Sequence, residues 1–109
     1  MSDSAKELNT GNFDDFTSKG NVIIDFWAAW CGPCKILSPE LEAASKEMKD
    51  VKVGKVDIDG QQELAEKFGV MSIPTLLFMK DGKVVDQTVG AMQKADLISL
   101  AKSMSVFVL

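Results

Sequence analysis

The stretch Asn21-Val22-Ile23-Ile24-Asp25-Phe26-Trp27 runs on through Ala28-Ala29-Trp30 into Cys31-Gly32-Pro33-Cys34-Lys35. Its first part, Asn21–Trp27, is a nearly continuous apolar run of β-branched and aromatic side chains. That is the pattern of a central strand buried on both faces, as in a parallel sheet, rather than of an alternating edge strand. Beyond it the apolar positions Leu37, Leu41, Ala44 and Met48 recur at helical spacing, which predicts a helix from Pro33 to Met48. Pro33 falls where a first-turn proline is tolerated. Pro39 lies inside the stripe, so a kink is expected there.

Working outward, the valine-rich Val51–Ile58 reads as a second strand, followed by a short helix over Gly60–Phe68 that ends at Gly69, a left-handed cap. Thr75–Lys80 and Val84–Val89 are short strands joined through Asp81-Gly82, a strong hairpin signal. Gln93–Leu109 places Leu97, Leu100, Ala101, Met104 and Val108 on one helical face. Upstream, Ala5–Leu8 and Asn12–Lys19 supply one more short strand and helix. Strand, helix and strand followed by a hairpin and a helix give an α/β fold, with a central mixed sheet of four to five strands and helices on both faces. With no repeat and no Pro/Gly/Ser linker, residues 1–109 are expected to form a single domain.

The chain has 109 residues, a net charge of −4, no histidine and two cysteines. Its cations are all lysines, and arginine and tyrosine are absent. The hydrophobic fraction of 46% and charged fraction of 26% are those of a globular protein, which argues against disorder and against a fibre. Without histidine there is no imidazole base, no Ser/His or Cys/His pair and no imidazole metal ligand. Without arginine there is no bidentate clamp for phosphate or carboxylate. Lysines scattered over an acidic chain make no basic stripe for a duplex, so nucleic acid is not an expected partner. The glycines form no phosphate-binding loop, and no bound cofactor or metal is expected. No apolar run approaches the roughly 20 residues that span a bilayer. The polar Met1–Thr10 lacks the apolar segment of a secretory signal. What remains is carboxylate, lysine and thiol chemistry, and the two thiols sit together.

Cys31-Gly32-Pro33-Cys34 joins the buried strand to the long helix. A helix N-terminus presents unpaired N–H groups and about half a positive charge, which favours a thiolate over a thiol. Cys31 stands just outside the first turn, where the field is strongest and solvent access is expected to be best. Cys34, one turn further in, is expected to be more buried. A disulfide closing so small a loop gains only about 2 kcal/mol of chain-entropy stabilisation, so it is a poor structural staple. The spacing suits a bond that is made and broken. A structural disulfide, half of a zinc site and a pair of inert buried thiols are the competing readings. The zinc reading fails for want of other Cys or His ligands. The strand–CxxC–helix context favours redox chemistry over the other two.

The sequence resembles the thioredoxin family. The residues that carry the resemblance are Asp25-Phe26-Trp27-Ala28-Ala29-Trp30-Cys31-Gly32-Pro33-Cys34-Lys35, then Pro39, Lys55, Ile73-Pro74-Thr75 and Val89-Gly90, over about Ala5 to Met104. The resemblance implies a thioredoxin fold and a general protein disulfide reductase. Cys31 would attack a client disulfide and form a mixed disulfide, and Cys34 would resolve it, the roles that the helix terminus also suggests. Asp25 is a charge in a strand that should be buried, where desolvation raises a carboxyl pKa. The resemblance makes it the group that takes a proton from Cys34. The alternative is a carboxylate satisfied by backbone or lysine hydrogen bonds. Lys55 matches the family's lysine near that carboxylate, or is a solvated strand lysine.

The resemblance also implies a cis bond at Pro74, packed against the disulfide. Sequence alone would not predict it, since only about 5–6% of X–Pro bonds in folded proteins are cis. With Gly32 and Pro33, the residues Trp30, Ile73, Pro74, Gly90 and Ala91 would line an apolar groove for an extended client segment. Trp30 as a plain surface aromatic and Gly90 as a turn glycine are the alternatives. Trp27 reads as core packing beneath the site. Two features depart from the family. Ala29 stands where many relatives carry a polar or charged residue, and the tail Ser103–Leu109 is unusually apolar, extending the last helix or meeting a partner.

Oxidants and isomerases of this fold commonly carry His between the cysteines. The pair Gly32-Pro33 favours a reductant, which fits a reducing cytoplasm. An oxidant or isomerase in an oxidising compartment, or a docking module that uses the apolar rim without sulfur chemistry, are the alternatives. The implied partners are client proteins bearing disulfides and a separate thioredoxin reductase that restores the dithiol, and a monomer is expected. Equilibration against glutathione is expected to give the Cys31–Cys34 couple a potential of about −270 mV, a value carried over from the family. A potential above about −200 mV would mark an oxidant or isomerase instead.

Overall fold

The computed structural model describes residues 5–104. Along the chain lie β1 (Lys6–Glu7), α1 (Phe13–Thr17), β2 (Asn21–Trp27), α2 (Gly32–Ser45), β3 (Val51–Asp57), α3 (Gln62–Lys67), β4 (Thr75–Lys80), β5 (Lys83–Val89) and α4 (Lys94–Ser103). The strands form one five-stranded sheet in the order β1-β3-β2-β4-β5. β3 pairs parallel with β1 and β2, and β4 pairs antiparallel with β2 and β5. The fold is the mixed α/β sheet that the alternation of strand and helix implies. β2 lies at its centre, and Val22–Phe26 is buried throughout.

The pleat of β2 divides the core. Ile23 joins Val53, Leu76 and Phe78 beneath Leu37, Leu41 and Ala44 of α2 and Leu97 and Ala101 of α4. Val22, Ile24 and Phe26 point the other way, to Phe13 of α1, Leu64 of α3, Val56, Leu77 and Met79. Helices therefore cover both faces, as a strand apolar on both sides requires. Phe68 closes the second cluster, its ring 5.1 Å from Phe13 and 6.2 Å from Phe26 between centroids. By alternation Asp25 belongs to the face that α2 covers.

The turns follow their residues. Asp81 and Gly82 have φ of 50° and 84°, the left-handed pair of a tight hairpin turn. Gly69, with φ of 64°, closes α3 as anticipated. α2 stops at Ser45 rather than Met48, because its last turn tightens. The N–H groups of Glu47 and Met48 reach back only three residues, to Ala44 and Ser45 at 3.0 and 3.3 Å. Met48 still buries its side chain in the first cluster. α2 is continuous through Pro39, which lacks the N–H that would meet the carbonyl of Lys35. The reading of Val108 and the apolar tail as a helix extension lies outside the described residues beyond Met104.

Gly54 of β3 faces Leu8 and Phe16. A Cβ there would lie 2.5 Å from Leu8 Cδ1 and 3.0 Å from Phe16 Cε2. Leu8 is itself buried, so a mid-strand glycine is kept for close packing. Gly54→Ala is expected to destabilise the fold by about 1–3 kcal/mol, read as a lower urea midpoint. An unchanged midpoint would show that Leu8 yields at no cost.

Candidate functional site

α2 starts at Gly32, so Cys31 is its N-cap and Pro33 occupies the first turn. Cys31 Sγ accepts the N–H of Cys34 at 3.2 Å, the bond that a Ser or Asp oxygen usually makes at this position. A sulfur so placed gains both a donor and the positive end of the helix, and each favours the thiolate once the bond is reduced. Cys31 and Cys34 are joined as a disulfide, with Cα atoms 5.3 Å apart. The expected difference in exposure between the two is absent, for each cysteine is 4% exposed. Both are packed against Ala28, Trp27, Ile58 and Ile73, so the oxidised pair is shielded by its neighbours rather than standing open at Cys31.

Asp25 and Lys55 are register partners on the parallel strands β2 and β3. Both are buried, so the reading of Lys55 as a solvated lysine does not hold. The Lys55 ammonium lies 5.7 Å from the centroid of the Trp27 ring. Among the described residues Asp25 Oδ1 is buried with no hydrogen-bond partner, so the alternative of a carboxylate satisfied by backbone or lysine hydrogen bonds is not met at that oxygen. Burial pushes the Asp25 carboxyl up to about 7, against the smaller opposing pull of the Lys55 charge. Asp25, Lys55 and Cys34 share a cavity of about 720 Å³ between α2 and the sheet. None of Trp30, Ile73, Pro74, Gly90 or Ala91 lines it, so it is separate from the implied client groove.

On the other side, the Ile73–Pro74 bond is cis. Pro74 is buried, and its carbonyl accepts the N–H of Gly90 at 2.8 Å. That bond ties the loop before β4 to the end of β5. Gly90 has φ of 101°, a conformation that favours glycine, so its turn role and its place beside Pro74 coexist. Trp30 is 67% exposed, and Gly32, Pro33 and Ala91 are also exposed. Trp30 Nε1 donates to Asp59 Oδ2 at 2.9 Å, which fixes the indole at the rim. Sequence reasoning missed Asp59. Its only signal is the turn-forming Asp59-Gly60 pair after β3, and nothing in that pair points to Trp30. Trp27 packs below the cysteines as expected.

A redox-active cysteine pair at the start of a helix, above a buried carboxyl that titrates near neutrality, defines a thiol–disulfide oxidoreductase. The thioredoxin family model matches residues 4–103. The chain is 53% identical to a thioredoxin of Bacillus subtilis over 90 residues, covering 82% of this chain and 86% of that one. With a thioredoxin of Chlamydia caviae it shares 50% identity over 95 residues, covering 87% and 93%. Among solved structures it superposes on a mutant thioredoxin from Halobacterium salinarum with a TM-score of 0.87 and 36% identity, covering 100% and 98% of the two chains. The chain belongs to the thioredoxin family. It is a protein disulfide reductase that works by dithiol–disulfide exchange on disulfide substrates, through its own cysteine pair. Among the described residues no group of acidic, Cys or His side chains could hold a metal ion, and no helix is long and apolar enough to cross a membrane.

The Asp25 carboxyl makes stability depend on pH. It is protonated in the folded chain up to about 7, but ionises near 3.8 once unfolded. Between those values the folded state holds the extra proton, so stability falls as pH rises through this window, by about 4 kcal/mol in all. Asp25→Asn escapes that loss. For the oxidised protein it is expected to raise unfolding free energy by up to about 4 kcal/mol at pH 8.5 and to change it little at pH 3.5. An equal gain at both pH values in urea titrations would contradict a buried, neutral Asp25.

Proposed function

We propose that Cys31 is the attacking sulfur and Cys34 the resolving one, with Asp25 as proton acceptor for Cys34. The observation that carries this is the capping geometry. Cys31 Sγ accepts the Cys34 N–H at the helix terminus, while Cys34 shares its cavity with Asp25. The Cys31 thiolate displaces one client sulfur as a thiolate and forms the mixed disulfide. Cys34 then gives its proton to Asp25 and attacks Cys31 Sγ. The second client sulfur leaves, and the Cys31–Cys34 disulfide remains. Two electrons pass to the client, and the leaving thiolates take up protons from Asp25 and water.

The cavity supplies the route by which Asp25 exchanges its proton with solvent, and Lys55 holds the Asp25 charge once it forms. Trp30, Gly32, Pro33, Ile73, Pro74, Gly90 and Ala91 line the client groove. With its backbone near the disulfide, an extended client segment reaches Cys31 while its side chains meet the apolar rim. The exposed indole of Trp30, held by Asp59, is rigid contact area of the kind that binding surfaces favour.

The protein acts as a single-domain monomer of the cytoplasm and needs no bound cofactor. Its electrons come from a separate thioredoxin reductase, because the spent disulfide must be reduced from outside. The acidic net charge of −4 argues against nucleic acid.

Serine substitutions separate the roles. Cys34→Ser is expected to arrest the reaction at a mixed disulfide with a disulfide-bearing client, visible as a mass adduct on Cys31 that dithiothreitol removes. Cys31→Ser is expected to form no adduct and to lose insulin-reducing activity by at least about a thousandfold. An adduct on Cys34 in the Cys31→Ser variant, formed as fast as that on Cys31, would reverse the assignment.

A further inference from the structure

The face of α2 that begins beside the disulfide does not end with it. Gly32, Ile36 and Glu40 follow one another at i, i+4 and i+8, on one side of the helix. Across from them, the chain leaves β5 through Gly90 and Ala91 and continues into Met92 and Gln93, ahead of α4. Ile36, Glu40, Ala91, Met92 and Gln93 together line a hollow of about 290 Å³. Ile36 is 63% exposed and Met92 is half-buried, so the hollow is open, with Ile36, Ala91 and Met92 as its apolar walls and Glu40 and Gln93 as its polar members. Ala91 belongs both to this hollow and to the client groove, which makes the two continuous.

Glu40 gives the hollow its charge. Its Oε1 accepts the N–H of Lys94 at 2.8 Å, which anchors the carboxylate at the start of α4. Its other oxygen has no partner among the described residues. The neighbouring cation, the Lys94 ammonium, is paired with Glu47 instead. A fixed carboxylate at the end of an apolar slot suits a side chain with an aliphatic stem and a cationic tip.

We propose that this hollow is a specificity pocket of the client groove, and that it takes a lysine or arginine side chain of the client close in sequence to the cysteine under attack. The proposal rests on the client groove described above. The spacing follows from geometry. Ile36 and Glu40 lie about 6 and 12 Å along the helix axis from Gly32. An extended client advances about 3.3 Å per residue, so the side chain that reaches the pocket lies about two to four residues from the client cysteine.

The test uses the full-length reduced protein and short peptides whose single cysteine is capped with 2-nitro-5-thiobenzoate. The Cys31 thiolate attacks the peptide sulfur and expels the coloured thiolate, so single-turnover absorbance gives a second-order rate constant. Lys, Leu or Glu is placed in turn two, three or four residues to either side of the cysteine. At one of these positions the Lys peptide is expected to react about threefold faster than the Glu peptide, the scale of a partly exposed ion pair. Glu40→Gln keeps an acceptor for the Lys94 N–H, and is expected to bring that ratio close to one. In the wild type, 0.5 M salt is expected to reduce it. A Lys-to-Glu ratio that is the same in the wild type and in Glu40→Gln at every position overturns the pocket. So does a preference for Leu over Lys that Glu40→Gln leaves untouched. Peptides that are not reduced, or that are reduced equally well by Cys31→Ser, would instead remove the groove on which the pocket rests.

Discussion

Parallel pairing of β2 with β3 sets Asp25 beside Lys55 in the middle of the sheet, and the helix that follows β2 returns over the same face. A carboxyl buried there has little water to stabilise its charge, and a single lysine does not make up the loss. The consequence is a proton held until about neutral pH, in a cavity that also reaches the inner sulfur. Such a group is a burden on folding above its pKa and an asset to chemistry that must move a proton near pH 7. Its position follows from strand register. A slip of one residue would turn Asp25 to the opposite face, towards Phe13, Val56, Leu64 and Leu77, and would carry Val22, Ile24 and Phe26 out of it.

The outer sulfur is controlled by a different part of the backbone. Helix α2 begins at Gly32, so Cys31 occupies the cap and its sulfur meets the N–H of Cys34. Cys31 thus meets the helix terminus, whereas Cys34 lines the cavity that Asp25 also lines. Both sulfurs are shielded in the disulfide state by Ala28, Trp27 and Ile73. At the rim, the Pro74–Gly90 bond ties the loop before β4 to the end of β5, and the Trp30–Asp59 bond fixes the indole. The chemistry sits on β2, β3 and the start of α2, and the loops around it shape the rim.

Local sequence settled a good deal of this. The bounds of β2 and β4 follow from their apolar runs and flanking polar or turn residues, and the turn at Asp81-Gly82 from the left-handed preference of that pair. The cysteine spacing and the strand-to-helix context point to thiol exchange without reference to a partner. Features that depend on two distant segments were not legible. Gly54 reads as a weak strand residue until Leu8 and Phe16 are seen against it. Asp59 reads as a turn residue until the Trp30 indole reaches it. The end of α2 moved inward from Met48 because a hydrophobic stripe reports burial, and Met48 is buried without being helical.

By itself, then, the sequence determined the order of strands and helices, the central place of Asn21–Trp27 and the reactive pair Cys31 and Cys34, because each is written in neighbouring residues through periodicity and spacing. Only the tertiary structure decided that Lys55 is buried beside Asp25, that one oxygen of the carboxyl has no partner among the described residues, and that both cysteines are equally covered. It also decided that Glu40 ends a hollow continuous with Ala91. These are facts about which side chains meet across segments far apart in the chain, and water exclusion and charge pairing depend on that meeting.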